Sequence, residues 1–583
     1  MCGIGGILGS FNSDYIKSVS ERMISSLYHR GPDGNGYVAL DINPNNKLLL
    51  VHTRLSIIDL NQNANQPMNY NKKDYWITFN GEIYNHIELR EDLIKFGYQF
   101  KNKSDTEVIL AAYDKWGTKA FSKFIGMWSF ALWDNKQKRL VLSRDRLGIK
   151  PLYYNFNNGN LVFASEPHVV AENSLENTTL NYSAILQYLS YRQVIDGKSF
   201  FKNVYQVDAG TNLIFQNKKK ILERYWEIPS ISGRHKNNEQ ELLSDLDKIL
   251  NSSVQYRMRA DVPVGAFLSG GLDSSALVWQ MSKMAKNPIN TYSIGFKEKE
   301  YNEFEYSKSV ALQCKTNHHE ITLNEDDYNL SLNKLIKLRG TPLSVPNEIA
   351  IFHLTKIMSP KIKVVLSGEG ADEVFGGYGR IFRSAYDFYR VKNRKTTLQF
   401  KRNLLKQYKV QDWETETDHF LSQYFYVSEN DQNNILSDDF KFELEDDVYK
   451  KEIFRNYLGK QKSSTLAEKY MWIFQKIHIQ GLLSRLDAST MANSIEGRVP
   501  FLDHRLIEFM NDVDVQFKLN FNKKDKESIQ DFTSDQISEK FDTTKYLLRT
   551  LYKDRLPEQI TKRKKIGFPV PLNHWLSGSF KEI

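Results

Sequence analysis

The sequence predicts two folds in one chain: an α+β sandwich of layered antiparallel sheets with helices outside, followed by an α/β domain on a mainly parallel sheet. Three observations carry this reading. At 583 residues the chain exceeds what one hydrophobic core organises, roughly 250 to 300 residues, so it holds at least two domains. In the N-terminal third, strand patterns around Leu48 to Val51, Tyr75 to Phe79, Met127 to Trp133 and Arg139 to Ser143 fit sheets packed face to face. From Glu239 the pattern changes. A helical run ends before Asp261, an apolar strand spans Val262 to Leu268, a helix-like run spans Ala276 to Ala285, and strands follow at Ile289 to Gly295 and His318 to Leu323. That is the order of a parallel sheet covered on both faces. The expected division is residues 2–215, a polar connector 216–238 rich in Lys, Asn, Ser and Gly, and residues 239–583.

Composition narrows the class. With 41% hydrophobic and 26% charged residues the chain reads as an ordinary globular protein. Its net charge of +9 comes from 79 basic against 70 acidic residues, clustered only briefly at Lys218 to Lys220 and Lys562 to Lys565. Without a basic arm or stripe, no nucleic acid is expected as a partner. No run of about 18 apolar residues and no signal-peptide pattern occur, so no membrane is expected and the chain is placed in the cytoplasm. Two cysteines, Cys2 and Cys314, argue against a disulfide framework and a four-ligand zinc site.

The most informative stretch is Ser269-Gly270-Gly271-Leu272-Asp273-Ser274-Ser275, where a strand enters a glycine turn and then a helix. Adjacent glycines let backbone approach a phosphate, the helix N-terminus offers unpaired N–H groups, and three hydroxyls add donors. The other common phosphate loop, Gly-x-x-x-x-Gly-Lys-Ser/Thr, is absent, and no lysine stands in this loop. Asp273 is placed to hold Mg²⁺ against the phosphates. Leu268 and Ile294 lie at strand ends where backbone groups meet an adenine, although either position also suits a core. A second turn of the same kind follows Lys363 to Leu366: Ser367-Gly368-Glu369-Gly370-Ala371-Asp372-Glu373, then Phe375-Gly376-Gly377-Tyr378. It brings Asp372 to the same Mg²⁺, Ser367 and Gly368 to the nucleotide, and Glu369 toward the activated substrate. Near the end, Arg563-Lys564-Lys565-Ile566-Gly567 offers Lys565 to charge developing on the α-phosphate; a basic surface turn is the other reading.

Cys2 begins Cys-Gly-Ile-Gly-Gly. Removal of Met1 gives it a free α-amine, with a pKa of about 7.7 to 8.0, that can act as base for its own thiol. Alone, such a start reads as a buried cysteine. Further along, Arg54 suits an α-carboxylate through a bidentate fork and Asp105 suits an α-ammonium. Asn80 and the Gly81 N–H offer an oxyanion hole. Singly, each of these is a cap, a turn or a surface pair.

In this order the motifs resemble the N-terminal-nucleophile glutaminase domain of class II glutamine amidotransferases. The resemblance continues through Arg144-Asp145-Arg146-Leu147-Gly148-Ile149-Lys150-Pro151-Leu152-Tyr153 and Ala164-Ser165-Glu166. It implies that Cys2 is the nucleophile, that Asn80 and Gly81 stabilise the oxyanion, and that Arg54, Asn80, Glu82 and Asp105 hold glutamine. The glycine loop resembles the pyrophosphate loop of enzymes that split ATP between its α and β phosphates. Together with Ser494-Ile495-Glu496-Gly497-Arg498-Val499-Pro500-Phe501-Leu502-Asp503, these motifs resemble the glutamine-dependent asparagine synthetase family over almost the whole chain. The resemblance implies glutamine hydrolysis at Cys2, passage of ammonia through an apolar tunnel, activation of a carboxylate by Mg-ATP, and release of amide, AMP and pyrophosphate. By the same analogy Glu369 takes a proton from the attacking ammonia. A homodimer is left open.

Three departures stand out. Gly340-Thr341-Pro342-Leu343-Ser344-Val345-Pro346-Asn347 stands where the family has Pro, a small residue and Asp-Ser-Ser before a Pro. The acceptor is therefore L-aspartate or another carboxylate, such as a sugar uronate. Residues Asn522 to Asp542 read as an inserted, exposed loop. The chain ends at Ile583, where relatives carry a further helical tail. A non-catalytic relative is a third reading, opposed by the joint presence of Cys2, Asp273, Glu369 and Lys565.

Overall fold

A computed structural model describes residues 2–176, 178–233, 238–442, 449–461, 464–522, 529–564, 567 and 570–577. The first half holds two six-stranded sheets whose neighbouring strands run antiparallel. In the first, Gly3–Gly9 lies between Asn160–Ala164 and Asn46–Arg54. In the second, Gly126–Asp134 lies between Tyr75–Ile83 and Arg139–Arg144. Side chains alternate across a strand, so successive residues serve different layers. Leu48 and Leu50 meet Ala131, Trp133, Leu140 and Leu142 of the other sheet, while Leu49 and Val51 meet the helix Ser13–Leu27 through Val19, Met23 and Leu27. The outer face of the second sheet is covered by Asp105–Trp116, whose Val108 and Ile109 join Ile77, Phe79 and Phe130. Four layers result. Glycine at position 6 is required by the close approach of strands, because a Cβ there would stand 2.2 Å from the Leu49 carbonyl oxygen.

In the second half a five-stranded sheet has the order Asn317–Leu323, Asn290–Phe296, Val264–Phe267, Val364–Leu366, Glu496–Arg498, with every neighbouring pair parallel. From Val264–Phe267 the chain first winds outward to Asn290–Phe296 and Asn317–Leu323, then returns to the opposite side of that strand. The reversal lies between Val264–Phe267 and Val364–Leu366. A crevice opens at the carboxyl ends of strands at such a switch point, and both glycine loops leave from it.

Two expectations are corrected. The polar connector does not begin at 216, because Lys219–Arg224 is a strand paired with Thr211–Gln216 through a turn at Asn217 and Lys218, both with positive φ. It is an edge strand, and edge strands carry charged residues that block further pairing, which makes them read as linkers. The stretch from Asn522 to Asp542 is not simply an exposed loop. Residues 523–528 lie outside the described residues, but Ser534–Phe541 is a helix with a Thr533–Gln536 capping box and with Ile537 and Phe541 buried. Its apolar face has only this i, i+4 pair, too short a pattern to read as a helix. Among the described residues no helix is long and apolar enough to cross a membrane.

Candidate functional site

Cys2 stands at the start of the strand Gly3–Gly9, and Asn80, Gly81 and Glu82 lie on Tyr75–Ile83 of the facing sheet. A pocket of about 40 Å³ where the two sheets meet is lined by Cys2, Arg54, Gly81, Glu82 and Asp105. Asn80 borders it, its Oδ1 accepting the Cys2 backbone N–H at 3.1 Å. The Arg54 guanidinium donates to the carbonyl oxygens of Asp59 and Asn61, the latter at 2.9 Å, and to Asn65 Oδ1 at 2.7 Å. Asp105 Oδ2 accepts the Ile83 N–H at 2.9 Å. Burial governs the charges here. It pushes the Cys2 thiol and the Asp105 carboxyl up, and burial with the nearby Asp105 holds Glu82 well above the usual carboxylate range despite Arg498.

The Arg144 to Tyr153 motif has a structural reason. The Asp145 carboxylate accepts the N–H groups of Trp128 at 3.2 Å, Leu147 at 3.1 Å, and Ile149 and Lys150 at 2.9 Å. Arg144 donates to the carbonyl oxygens of Lys150, Val207 and Gly148. Two charged side chains thus satisfy a whole turn of buried backbone.

The second cavity, 380 Å³, opens at the switch point and is lined by Leu268, Ser269, Gly271, Asp273, Ser274, Ile294, Ser367, Gly368, Glu369 and Asp372. Gly270 and Ser275 are not in its lining. Gly270 has φ 75°, and a Cβ there would meet Tyr306 Cβ at 2.5 Å, so the turn is possible only for glycine. Ser275 is fully buried in the helix Leu272–Met284. Ser274 Oγ accepts the Ser269 N–H at 3.2 Å and donates to the Gly271 carbonyl at 3.2 Å, which closes the loop on itself. Lys565 lies outside the described residues.

Sequence reading missed several lining residues, among them Lys545, Arg485 and Tyr378. Lys545, which caps the helix Tyr546–Tyr552 with φ 54°, places Nζ 2.6 Å from Asp273 Oδ2 and 2.8 Å from Asp372 Oδ1. Burial works against its charge, but the two carboxylates override that and push its pKa up. Arg485, on the helix Ile479–Met491, pairs with Glu369 and donates to Asn347 Oδ1 at 3.2 Å. Tyr378 lines the cavity and donates its hydroxyl to Glu373 Oε1 at 2.6 Å. Burial and the neighbouring Asp372 raise the Glu373 carboxyl to about 7. For Arg485 a signal exists, since a charge within the apolar helix Ile479–Met491 needs a partner. For Lys545, a lysine ahead of a short apolar run, none does.

The two carboxylates that share the Lys545 ammonium converge on one point. A pair of carboxylate oxygens completed by phosphate oxygens is a donor set that suits Mg²⁺, so Asp273 and Asp372 fit that ion.

Residues 245–583 match the family model described as asparagine synthase, and residues 1–226 match that of a glutamine amidotransferase domain. The chain belongs to the asparagine synthase family. Over its whole length it is 32% identical to asparagine synthetase [glutamine-hydrolyzing] 1 of Bacillus subtilis (strain 168), covering 89% of that protein. Over 65% of its length it is 37% identical to putative asparagine synthetase [glutamine-hydrolyzing] 2 of Methanocaldococcus jannaschii, covering 76% of it. Amidase chry2 of Gibberella zeae is 27% identical over 99% of the chain and 90% of that protein. In this asparagine synthase family member the antiparallel sandwich and the parallel sheet fall within the two matched regions, which makes the chain an asparagine synthetase-like amidotransferase.

Proposed function

We propose that this chain hydrolyses glutamine and uses the ammonia to amidate a carboxylate, L-aspartate first, through an acyl-adenylate. The convergence of Asp273 and Asp372 on Lys545, at the switch point and beside the glycine loop, is the observation that carries the reading. Once Met1 is removed, the Cys2 nitrogen is an amine held by Asn80 Oδ1 at 3.1 Å and takes the thiol proton as the sulfur attacks the side-chain amide of glutamine. Arg54 and Asp105 hold the carboxylate and ammonium of the substrate, with Glu82 beside them. The Asn80 amide and the Gly81 N–H stabilise the tetrahedral oxyanion.

ATP lies in the second cavity with its adenine against Leu268 and Ile294. Its phosphates rest on Ser269, Gly271, Ser274 and the Ser367–Gly368 turn. Asp273 and Asp372 would hold Mg²⁺, which would supply positive charge to the phosphates. The acceptor carboxylate attacks the α-phosphate, the bond to the β-phosphate breaks and pyrophosphate departs, and Lys545 stabilises the charge that develops there, the role expected for Lys565. Glu369 accepts a proton as ammonia attacks the acyl-adenylate and AMP departs, with Arg485 fixing its orientation. A single buried apolar cluster runs from Leu55, Ile57 and Met127 of the first half to Leu486 and Val499 of the second. An apolar surround of this kind favours neutral ammonia, because ammonium is costly to desolvate and is not a nucleophile.

A second reading keeps this chemistry with another carboxylate, such as a sugar uronate. The absence of the family's Asp-Ser-Ser from Gly340 to Asn347, a stretch that reaches Arg485 through Asn347, favours it. Amide formation from aspartate or from glucuronate-type acceptors, measured together with pyrophosphate release, separates the two.

A further inference from the structure

The pocket around Cys2 is not closed by its own half of the chain. Glu496, on the last strand of the parallel sheet, stands in its lining beside Cys2 and Glu82. Two residues on, and therefore on the same face of the strand, Arg498 donates from Nε to Glu496 Oε1 at 2.6 Å and from Nη2 to Glu82 Oε2 at 3.2 Å. Its Nη1 donates to the carbonyl oxygens of Arg257 at 2.8 Å and Arg259 at 2.6 Å. Arg498 and Glu496 are 0% exposed and Glu82 is 3% exposed. Taking a guanidinium and two carboxylates out of water is expensive, and an apolar packing of the same volume is often at least as stable. Stability alone therefore gives little reason for charge at this place. Arg498 is also pinned from behind: its carbonyl oxygen accepts the N–H of Ser367 at 2.8 Å, where the loop that carries Glu369 begins.

We propose that Glu496 and Arg498 are positioning residues for glutamine, so that the second half of the chain completes the glutamine pocket of the first. Arg498 ties one oxygen of Glu82 and thereby fixes its rotamer. The other oxygen, Oε1, is buried without a hydrogen-bond partner among the described residues and is left for a donor on the substrate. Glu496 holds the Arg498 fork in register and forms the far wall of the pocket. This inference rests on the reading that glutamine binds beside Cys2.

The test uses the full chain and two assays on each preparation: glutamate release across glutamine concentrations, and pyrophosphate release driven by ammonia. Glu496→Gln is isosteric but removes one charge. Arg498→Lys keeps the charge but cannot bond two carboxylates and two carbonyls together. In Glu496→Gln the glutamine KM rises about ten-fold or more, the scale of one charge-assisted hydrogen bond, while kcat stays within about three-fold. Ammonia-driven pyrophosphate release in the same variant stays within about two-fold of the unaltered chain. An unchanged glutamine KM overturns the proposal, and so does an equal fall in both assays, which marks a merely structural role. Should Arg498→Lys fail to fold, Glu496→Gln decides alone. Failure of the underlying reading shows earlier and elsewhere, as an unaltered chain that releases no glutamate or a Cys2→Ala chain that still does.

Discussion

Lys545 Nζ lies 2.6 Å from Asp273 Oδ2, a contact between residues 272 positions apart. It ties the glycine loop to the helix Tyr546–Tyr552 and, through Asp372 at 2.8 Å, to the second loop. If this ammonium serves the α-phosphate, Lys545→Met lowers acceptor-dependent pyrophosphate release by about 10² to 10³, the usual cost of one group that stabilises transition-state charge. Glutamine hydrolysis at Cys2 continues. Measuring both products on one preparation checks this, and a variant that retains full pyrophosphate release removes Lys545 from the mechanism.

Cys2→Ala is expected to abolish glutamine-driven amidation and to spare ammonia-driven amidation. The two cavities have separate linings, so the loss should not spread. Loss of both activities in a folded variant contradicts the two-site account.

Asp487 holds the halves together. Its carboxylate accepts from Arg30 Nη2 at 2.9 Å and from Lys150 Nζ at 3.3 Å, and both cations are 1% exposed. Asp487→Ala leaves two buried cations with one fewer partner, and breaking such a pair costs about 3 to 5 kcal/mol. A lowered thermal midpoint for Asp487→Ala, with a smaller drop for Asp487→Asn, is the expected pattern; an unchanged midpoint contradicts it.

Buried titratable groups set opposing pH slopes of stability. Burial and then Asp372 raise Glu373 to about 7 from an ordinary 4.5. The folded chain therefore holds more protons than the unfolded chain between these values, and stability declines as pH rises through that window. On the acid side, burial lowers His52, His419 and His504 to about 3 from 6.5. The unfolded chain takes up those protons first, so stability declines as pH falls below 6.5. Thermal midpoints measured from pH 4 to 9 check both slopes, and Glu373→Gln should steepen the rise of the midpoint between pH 4.5 and 7.

The loops that bear glycine and acid were legible in the sequence because their residue types are costly anywhere but at a ligand or a tight turn. Asp273 and Asp372 are expected at one Mg²⁺ on that basis, and in the structure both carboxylates meet the Lys545 ammonium. Strands of the sandwich were legible from their alternation, whereas Lys219–Arg224 was not, since an edge strand shows its polar side chains to water. Lys545 and Arg485 were hidden for a different reason. Their partners, Asp273 and Glu369, lie 272 and 116 positions away, and no local pattern encodes a contact made by folding. Arg498 was quoted as part of a motif, but its link to Glu82 crosses 416 positions and emerges only when the two halves are in place.

The most direct test of the account is pyrophosphate release from Mg-ATP and glutamine, with and without L-aspartate, paired with detection of asparagine. The account predicts aspartate-dependent pyrophosphate in step with asparagine. Glutamine hydrolysis without any response to aspartate contradicts aspartate as acceptor and turns attention to the stretch from Gly340 to Asn347; absence of pyrophosphate with every carboxylate tried contradicts the adenylating chemistry itself.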